Sequence, residues 1–597
     1  MMLDIADIKL PLLGRLKKLL PGENTMMILV ATFIGVAAGA GNIVFRTVTE
    51  MVHDNIFVPG HELVSRGGVW VLILPLIPVC GMLLLIPLSI LFPGEVNGYG
   101  FPKFLRKVNL EGGIVKFRTI ILKIVSCALT IGTGGSAGVE GPIAQVGGAI
   151  GSQVGQFFRV SGDRMKVYIA AGAAGAIGAV FNAPIAGIFF ASEIVLLGTY
   201  DISSFSALVV SSAMATVITR AYYGTVPVFP IPAYQLVNPM VEIPLYLLMG
   251  IIVGIIAVIH IRVFYSVRDF YLKLPVHPLV KPITGALAVG IIGLIFPQVM
   301  GDGYDYMETI LTGNGVFAVL LSLVFLKILA TALTLGSGGA GGVFAPGLFI
   351  GAMIGGAFGS VVHGLWPQFT ATPGAYAAVG IGAFLAAATH APMTAIFLLF
   401  EMTGNYLIII PVLLASIIGT VVAQWLNEDS IDTVDFSREG IDIHEGREIA
   451  VMKSLKVGSV VSEDVDFISE RANINQLLTI FQMANSFYFP VINESGTMTG
   501  VVSLQDVKGL LQDEKLRLNK LVGDICTRDV LFLTLDDNLY SAMQIFDLKG
   551  LDEVPVVEAS DSRWVVGMLK RRDVIAAYNR ETVKRGVSAK TRAMPVS

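Results

Sequence analysis

The sequence predicts a polytopic α-helical membrane protein that continues into a soluble α/β unit, and three observations carry that reading. Hydrophobic residues make up 54% of the 597 and charged residues only 14%, well below the roughly 25% charged content of soluble domains. Apolar runs of span length recur as far as Leu426, and two glycine-rich motifs each occur twice in the same order. Beyond Asn427 charged residues return every few positions and no run of span length follows. A mean hydropathy of +0.73 excludes disorder. The net charge of −4 offers no basic surface, so nucleic acid is not an expected partner. Cys80, Cys127 and Cys526 lie far apart and build neither a disulfide framework nor a metal site.

Residues 1–25 carry Arg15, Lys17 and Lys18 among leucines, which reads as an amphipathic helix on the membrane surface. Positive charge ahead of the first span favours a cytoplasmic N-terminus. The apolar runs are Met26–Phe45, Gly68–Leu91, Phe205–Ile218, Ile243–Ile259, Pro282–Ile295, Val316–Leu335 and Leu407–Leu426. Crossing a hydrocarbon core of about 30 Å takes ~20 helical residues. The shorter, glycine-interrupted runs therefore read as re-entrant helices that stop partway and line a cavity, where exposed backbone is tolerated. The membrane domain is expected over 26–433, a linker over 434–453, and a polar, disordered tail over 581–597. Between linker and tail, short β-branched runs alternate with helical stretches in two modules, 454–515 and 516–580. Phe489-Pro-Val-Ile with Gly500-Val-Val-Ser-Leu-Gln-Asp506 is echoed there by Val554-Pro-Val-Val with Gly567-Met-Leu-Lys-Arg-Arg-Asp573.

The membrane repeats carry the chemistry. Gly132-Thr-Gly-Gly-Ser-Ala-Gly-Val-Glu-Gly-Pro142 returns 204 residues on as Gly336-Ser-Gly-Gly-Ala-Gly-Gly-Val-Phe-Ala-Pro346. Phe181-Asn-Ala-Pro-Ile-Ala-Gly-Ile-Phe189, closing at Glu193, returns as Thr389-His-Ala-Pro-Met-Thr-Ala-Ile-Phe397, closing at Glu401. Two related halves follow, about 26–220 and 239–426, with a binding site expected at their interface. Each long repeat runs from a glycine-rich turn into a helix with proline in its first turn. Convergent helix N-termini present free N–H groups and positive dipole ends, which suit a desolvated anion. Glycine runs that merely let helices pack closely are the competing explanation. Glu140 is the acidic residue inside the first repeat, placed to occupy such a site as a tethered competitor and to carry a proton when displaced; a structural helix-capping role is the alternative. Glu193 and Glu401 read as scaffolding at helix ends, and His390, in the place of Asn182, as a packing or capping residue.

Gly98-Tyr-Gly-Phe-Pro102, Gly138-Val-Glu-Gly-Pro142 and Gly342-Val-Phe-Ala-Pro346 resemble the three signature segments of the CLC family of chloride channels and proton-coupled anion exchangers. Asn182-Ala-Pro184 and Glu401-Met-Thr-Gly-Asn-Tyr406 fit the same family, and the C-terminal pair resembles tandem CBS domains. The resemblance implies inverted repeats, a homodimer with a pore in each subunit, and both termini with the CBS pair in the cytoplasm of a plasma- or inner-membrane protein. It implies Glu140 as the gate, with Tyr99, Gly100, Phe101, Val139, Gly141, Val343 and Phe344 around the anion, chloride or a relative.

Three departures stand out. Tyr99 replaces the family's central serine, Asp432 falls where a pore tyrosine is usual, and Ile194 replaces an internal proton-accepting glutamate. Tyr99 is expected to reach the anion with its longer phenol, and Asp432 to lie at the cytoplasmic pore mouth, to take protons in place of the carboxylate missing at 194, or to be an ordinary solvated linker residue. Channel and exchanger both stay open, with Ile194 weighting the expectation toward a channel. No cofactor is required, but Ser503 and Asp506, with Lys570 and Asp573 in the second module, sit where CBS modules hold adenine nucleotides; a ligand-free scaffold is the alternative. An enzyme would need a nucleophile with its base, or a metal cluster, within the apolar part, and the sequence shows neither. A membrane-anchored nucleotide sensor would not need the twin repeats.

Overall fold

The computed structural model describes residues 23–160, 162–199, 202–225, 234, 236–443, 447–484, 486–510 and 519–584. Residues 1–22 of the expected surface helix and 585–597 of the expected tail lie outside the described residues. The chain divides into two units, Met1–Asp435 and Phe436–Ser597.

In the first unit the principal helices fall into two sets of eight among the described residues. The first set is α1 (Glu23–Val52), α2 (Leu76–Leu91), α3 (Phe101–Asn109), α4 (Arg118–Gly132), α5 (Glu140–Phe158), α6 (Gly162–Phe181), α7 (Pro184–Phe190) and α8 (Ile202–Tyr223). The second set repeats it in order: α9 (Pro239–Lys273), α10 (Lys281–Gly293), α11 (Tyr304–Leu311), α12 (Phe317–Ser337), α13 (Phe344–Leu365), α14 (Pro373–Thr389), α15 (Pro392–Thr403) and α16 (Ile409–Leu426). Proline opens many of them, at Pro102, Pro184, Pro239, Pro282, Pro373 and Pro392, where its missing N–H costs nothing.

Eight helical segments among the described residues are long and apolar enough to cross a membrane. Two of them, Gly162–Phe181 and Phe344–Leu365, are absent from the apolar runs read off the sequence. Their composition explains this. Both lie mostly inside the bundle, where glycine and alanine replace leucine so that backbones can touch. A Cβ at Gly147 would lie 2.2 Å from the Gly172 carbonyl oxygen, and one at Gly351 would lie 2.4 Å from that of Gly380. The glycine runs therefore do pack helices, α5 on α6 and α13 on α14.

The halves are related by an inverting two-fold. Gly138 and its repeat mate Gly342 form an antiparallel bridge, each N–H donating to the other's carbonyl at 2.8 Å. Side-chain bonds follow the same symmetry: Ser136 N donates to Thr334 Oγ1 at 3.1 Å and Ala340 N to Thr130 Oγ1 at 3.0 Å. On the axis Phe189 stacks on Phe397 with centroids 4.5 Å apart.

The second unit holds two three-stranded sheets, β1 (Ile468–Ser469), β2 (Tyr488–Ile492) and β3 (Met498–Ser503), then β4 (Leu533–Thr534), β5 (Glu553–Glu558) and β6 (Asp561–Lys570). In each, the first pair is parallel and the second antiparallel. The division at 515/516 is crossed in space. Val457 packs in the core of the later sheet with Leu533, Phe546 and Val556, whereas Val522 packs in the earlier one with Phe489, Val491 and Val502. Helices Val434–Arg438 and Arg447–Lys453 occupy the stretch read as a linker, and the last helix, Arg571–Lys584, runs past the module boundary expected at 580 into the stretch read as tail.

Candidate functional site

The repeat loops 132–139 and 336–343 meet at the Gly138–Gly342 bridge. The first packs at the end of α1, where a Cβ at Gly132 would touch Val52 at 2.8 Å; the second packs at the end of α9, where one at Gly336 would lie 3.2 Å from Arg268 N. Each loop also grips a second loop in the same way. Gly98 N donates to Gly338 O at 3.1 Å, and Gly301 N donates to Gly134 O at 3.1 Å. The consequence is that α5 and α13 begin side by side, with Val139 and Val343 at their N-cap positions. Gly141 and Gly342 are in contact there, a Cβ on Gly342 reaching 3.0 Å from Gly141 N.

Glu140 occupies this meeting point. Its carboxylate is fully buried; Oε2 accepts from Ala345 N at 3.2 Å in the first turn of α13, and Oε1 accepts the hydroxyl of Tyr304. Among the described residues no cation pairs with it, so helix amides and one phenol carry the charge. Gly138 must lack a side chain, because a Cβ there would lie 2.9 Å from the Ala345 backbone N as well as against the Glu140 carboxylate. Phe344 closes one wall with Phe190 at 5.8 Å, and Phe101 continues it at 5.9 Å from Phe190.

Tyr304 was not legible as a site residue. It opens α11 after Gly303, whose φ of 89° requires glycine. The available signal was a third repeat, Gly98-Tyr-Gly-Phe101 against Gly301-Asp-Gly-Tyr304. Lys123 and Lys327, also 204 residues apart, are buried lysines beneath these two loops. Lys327 Nζ donates to Val299 O at 3.0 Å and Gly301 O at 2.9 Å, and Lys123 Nζ lies 2.5 Å from where a Cβ on Gly100 would be.

On the other side of the site the Tyr99 hydroxyl donates to Asp432 Oδ1, and a phenol has one proton to give. Asp432 is neither a solvated linker residue nor open to water at a pore mouth, being only 4% exposed. The chain turns back after α16, with Ile431 N donating to Ala388 O at 3.0 Å and Tyr265 Oη to Ile431 O at 2.8 Å, and this buries the carboxylate.

Glu193 and Glu401 cap each other's half. Glu193 accepts from Met393 N at 3.0 Å and Thr394 N at 2.7 Å, and Glu401 accepts from Ile185 N at 3.0 Å and Ala186 N at 2.8 Å. Asn182 and His390 share a left-handed φ of 57° and 56° just before α7 and α15, which fits a turn role. Exchanging Glu193 for Gln removes the charge from two amide bonds, so a stability loss of about 1–3 kcal/mol is expected. Thermal unfolding in detergent measures it, and any ratio of co-transported ions should stay at its wild-type value.

In the soluble unit Asp506 Oδ2 accepts from Ser503 N at 2.7 Å and Ser503 Oγ at 2.8 Å, a local cap. Lys570 lies 3.7 Å from the buried carboxylate of Glu553, directly opposite it on β5, and Asp573 lies 3.7 Å from Arg572. Ser503 and Lys570 occupy equivalent positions in the two modules, each facing the first residue of its neighbouring strand.

The first unit is thus an inverted-repeat membrane transport domain with a tethered carboxylate at its centre. The sequence matches the voltage-gated chloride channel family over residues 80–424 and the CBS domain over 457–513 and 522–580. The H(+)/Cl(-) exchange transporter ClcA of Vibrio campbellii is 33% identical over 417 residues, covering 68% of this chain and 86% of its own. Chloride channel protein CLC-f of Arabidopsis thaliana is 26% identical over 633 residues, 93% of this chain and 80% of its own. The crystal structure of a slow cyanobacterial Cl−/H+ antiporter superposes with a TM-score of 0.62 at 27% identity, over 69% of this chain and 97% of that one. The chain belongs to the voltage-gated chloride channel family, the CLC proteins, as an integral multi-pass anion-transport protein with two C-terminal CBS domains.

Proposed function

We propose that the protein is a proton-coupled exchanger of chloride-class anions. The observation that carries this reading is the Glu140 carboxylate on the first-turn amide of α13. An ionised carboxylate there takes the amides an anion would use. Protonation weakens that hold, since hydrogen bonds to a charged acceptor are about twice as strong as neutral ones. The displaced side chain then carries the proton while the anion takes its place, which links the two ions through one group. Ile194, which tilted the sequence toward a channel, is outweighed: the ClcA relative is named an exchange transporter and the cyanobacterial structure is titled an antiporter. Reconstitution into liposomes with anion and proton movement recorded together tests this. A chloride gradient should drive protons against their own gradient, and anion flux with no proton movement would make the protein a channel.

Three further features belong to the same reading. The protein works as a homodimer with one pathway per subunit. Its CBS pair and termini face the cytoplasm. The pair binds an adenine nucleotide, its ribose on Ser503 and Asp506 and its phosphates near Lys570, where Arg571 and Arg572 add charge. Titrating ATP into the full-length protein in detergent should release heat that is lost in Asp506→Ala; no heat at millimolar nucleotide favours a plain scaffold.

A further inference from the structure

We infer that Asp432, held by Tyr99, is a second proton-binding carboxylate of the transport cycle, on the face of the anion site opposite Glu140; the inference rests on the coupled-exchange reading above. Each face of the α5/α13 junction carries one buried carboxylate that accepts a tyrosine hydroxyl. Tyr304 and Glu140 come in with the loop that packs at the end of α1. Tyr99 and Asp432 come in with the loop that packs at the end of α9, where Tyr99 also bridges to Gly341, three residues before α13.

The surroundings of Asp432 favour a proton over a counter-ion. From α9, Arg268 is taken by Asp435 in a two-pronged pair at 2.8 and 2.6 Å, and Tyr265 donates to a backbone carbonyl. From α14 the nearest contribution is the Ala388 carbonyl that holds Ile431, with His390 two residues further on. On its own segment Ser430 Oγ accepts from Asp432 N at 3.3 Å, and Thr433 bonds back to Ser430. Among the described residues no cation pairs with Asp432, and Tyr99 is the side chain that donates to its carboxylate. A buried, unpaired carboxylate is stabilised by taking up a proton. Glu193 cannot serve in its stead, being spent on the Met393 and Thr394 amides, and Ile194 beside it has no proton to carry.

Tyr99 ties that proton to the anion. While Asp432 is charged it claims the one phenolic proton and repels an anion. Once protonated it releases the O–H toward the start of α13. Proton and anion then favour each other's binding, and the effect must be mutual.

The test uses full-length protein in liposomes, with chloride and proton fluxes recorded together and the pH on the Asp432 side varied. Asp432→Asn should lower the ratio of protons to anions about a hundredfold or more, the low end of what a positioned proton-transfer group contributes, and Asp432→Glu should restore part of it. Tyr99→Phe leaves the carboxylate but removes a bond to its charged form, so the midpoint of proton flux should move up by about one pH unit. His390→Gln should keep the wild-type ratio. If the wild type couples the ions and Asp432→Asn keeps its ratio, or Tyr99→Phe moves no midpoint, or His390→Gln alone abolishes coupling, Asp432 is not the acceptor. Absence of proton movement in the wild type would instead remove the exchange reading itself.

Discussion

Replacing Glu140 by glutamine should leave anion flux intact or raise it, make it independent of the pH on the Glu140 side, and abolish proton movement. The sign follows from the bonds at its carboxylate. In the wild type the ionised group holds the Ala345 amide and the Tyr304 hydroxyl, so anions compete poorly at high pH and flux grows as pH falls. Glutamine keeps the shape and loses the charge. A charge at a favourable, partly buried helix N-terminus is worth up to ~2 kcal/mol, which is about 30-fold in how often the side chain yields to an anion. No proton can ride on an amide, so coupling disappears entirely. Parallel pH-jump flux assays on wild type and variant check this, and a variant whose anion flux keeps the wild-type pH profile would remove Glu140 from the gate.

Much of this site was legible because its logic is repetition. The twin motifs 204 residues apart place two helix N-termini at an interface, and the single carboxylate inside one of them marks the point of occupation. Sequence patterning failed where the determinant is contact between distant loops. Tyr304 follows an unremarkable Gly-Asp-Gly turn, and long-range contacts carry it to Glu140: the bond between Gly301 and Gly134 and the Lys327 ammonium on the carbonyls of Val299 and Gly301. For Asp432 the sequence left a pore mouth, a proton acceptor and a solvated linker residue all open, because it follows the last span and precedes a charged stretch. Its burial comes from the backbone bond of Ile431 to the end of α14, a pairing that no local pattern announces. The Gly/Ala-rich spans were missed for a related reason, since residues chosen for close packing are weakly hydrophobic. In the soluble unit the strand periodicity was visible, whereas the exchange of Val457 and Val522 between cores depends on long-range pairing.

Lys327→Met should lower stability by about 2–5 kcal/mol and shift the gate as well, because this ammonium anchors the loop that aims Tyr304. A fully buried lysine in a span is costly unless its donors are met. Here Nζ satisfies the carbonyls of Val299 and Gly301 and sits 4.9 Å from the centre of the Phe349 ring. Phe349 also blocks the other side of the turn, 2.5 Å from where a Cβ on Gly303 would lie. The segment from Val299 to Gly303 is thus clamped between α12 and α13, and Tyr304 inherits its position. Methionine fills similar volume but leaves two buried acceptors unpaired at about 1–3 kcal/mol each. Loosened, Tyr304 no longer holds Glu140 Oε1, so the carboxylate yields to anions at a higher pH than in the wild type. Tyr304→Phe separates the two consequences: it should reproduce the shift in the pH dependence of anion flux while keeping most of the thermal stability. If Lys327→Met melts early but retains the wild-type pH profile, the lysine supports the fold without positioning the gate.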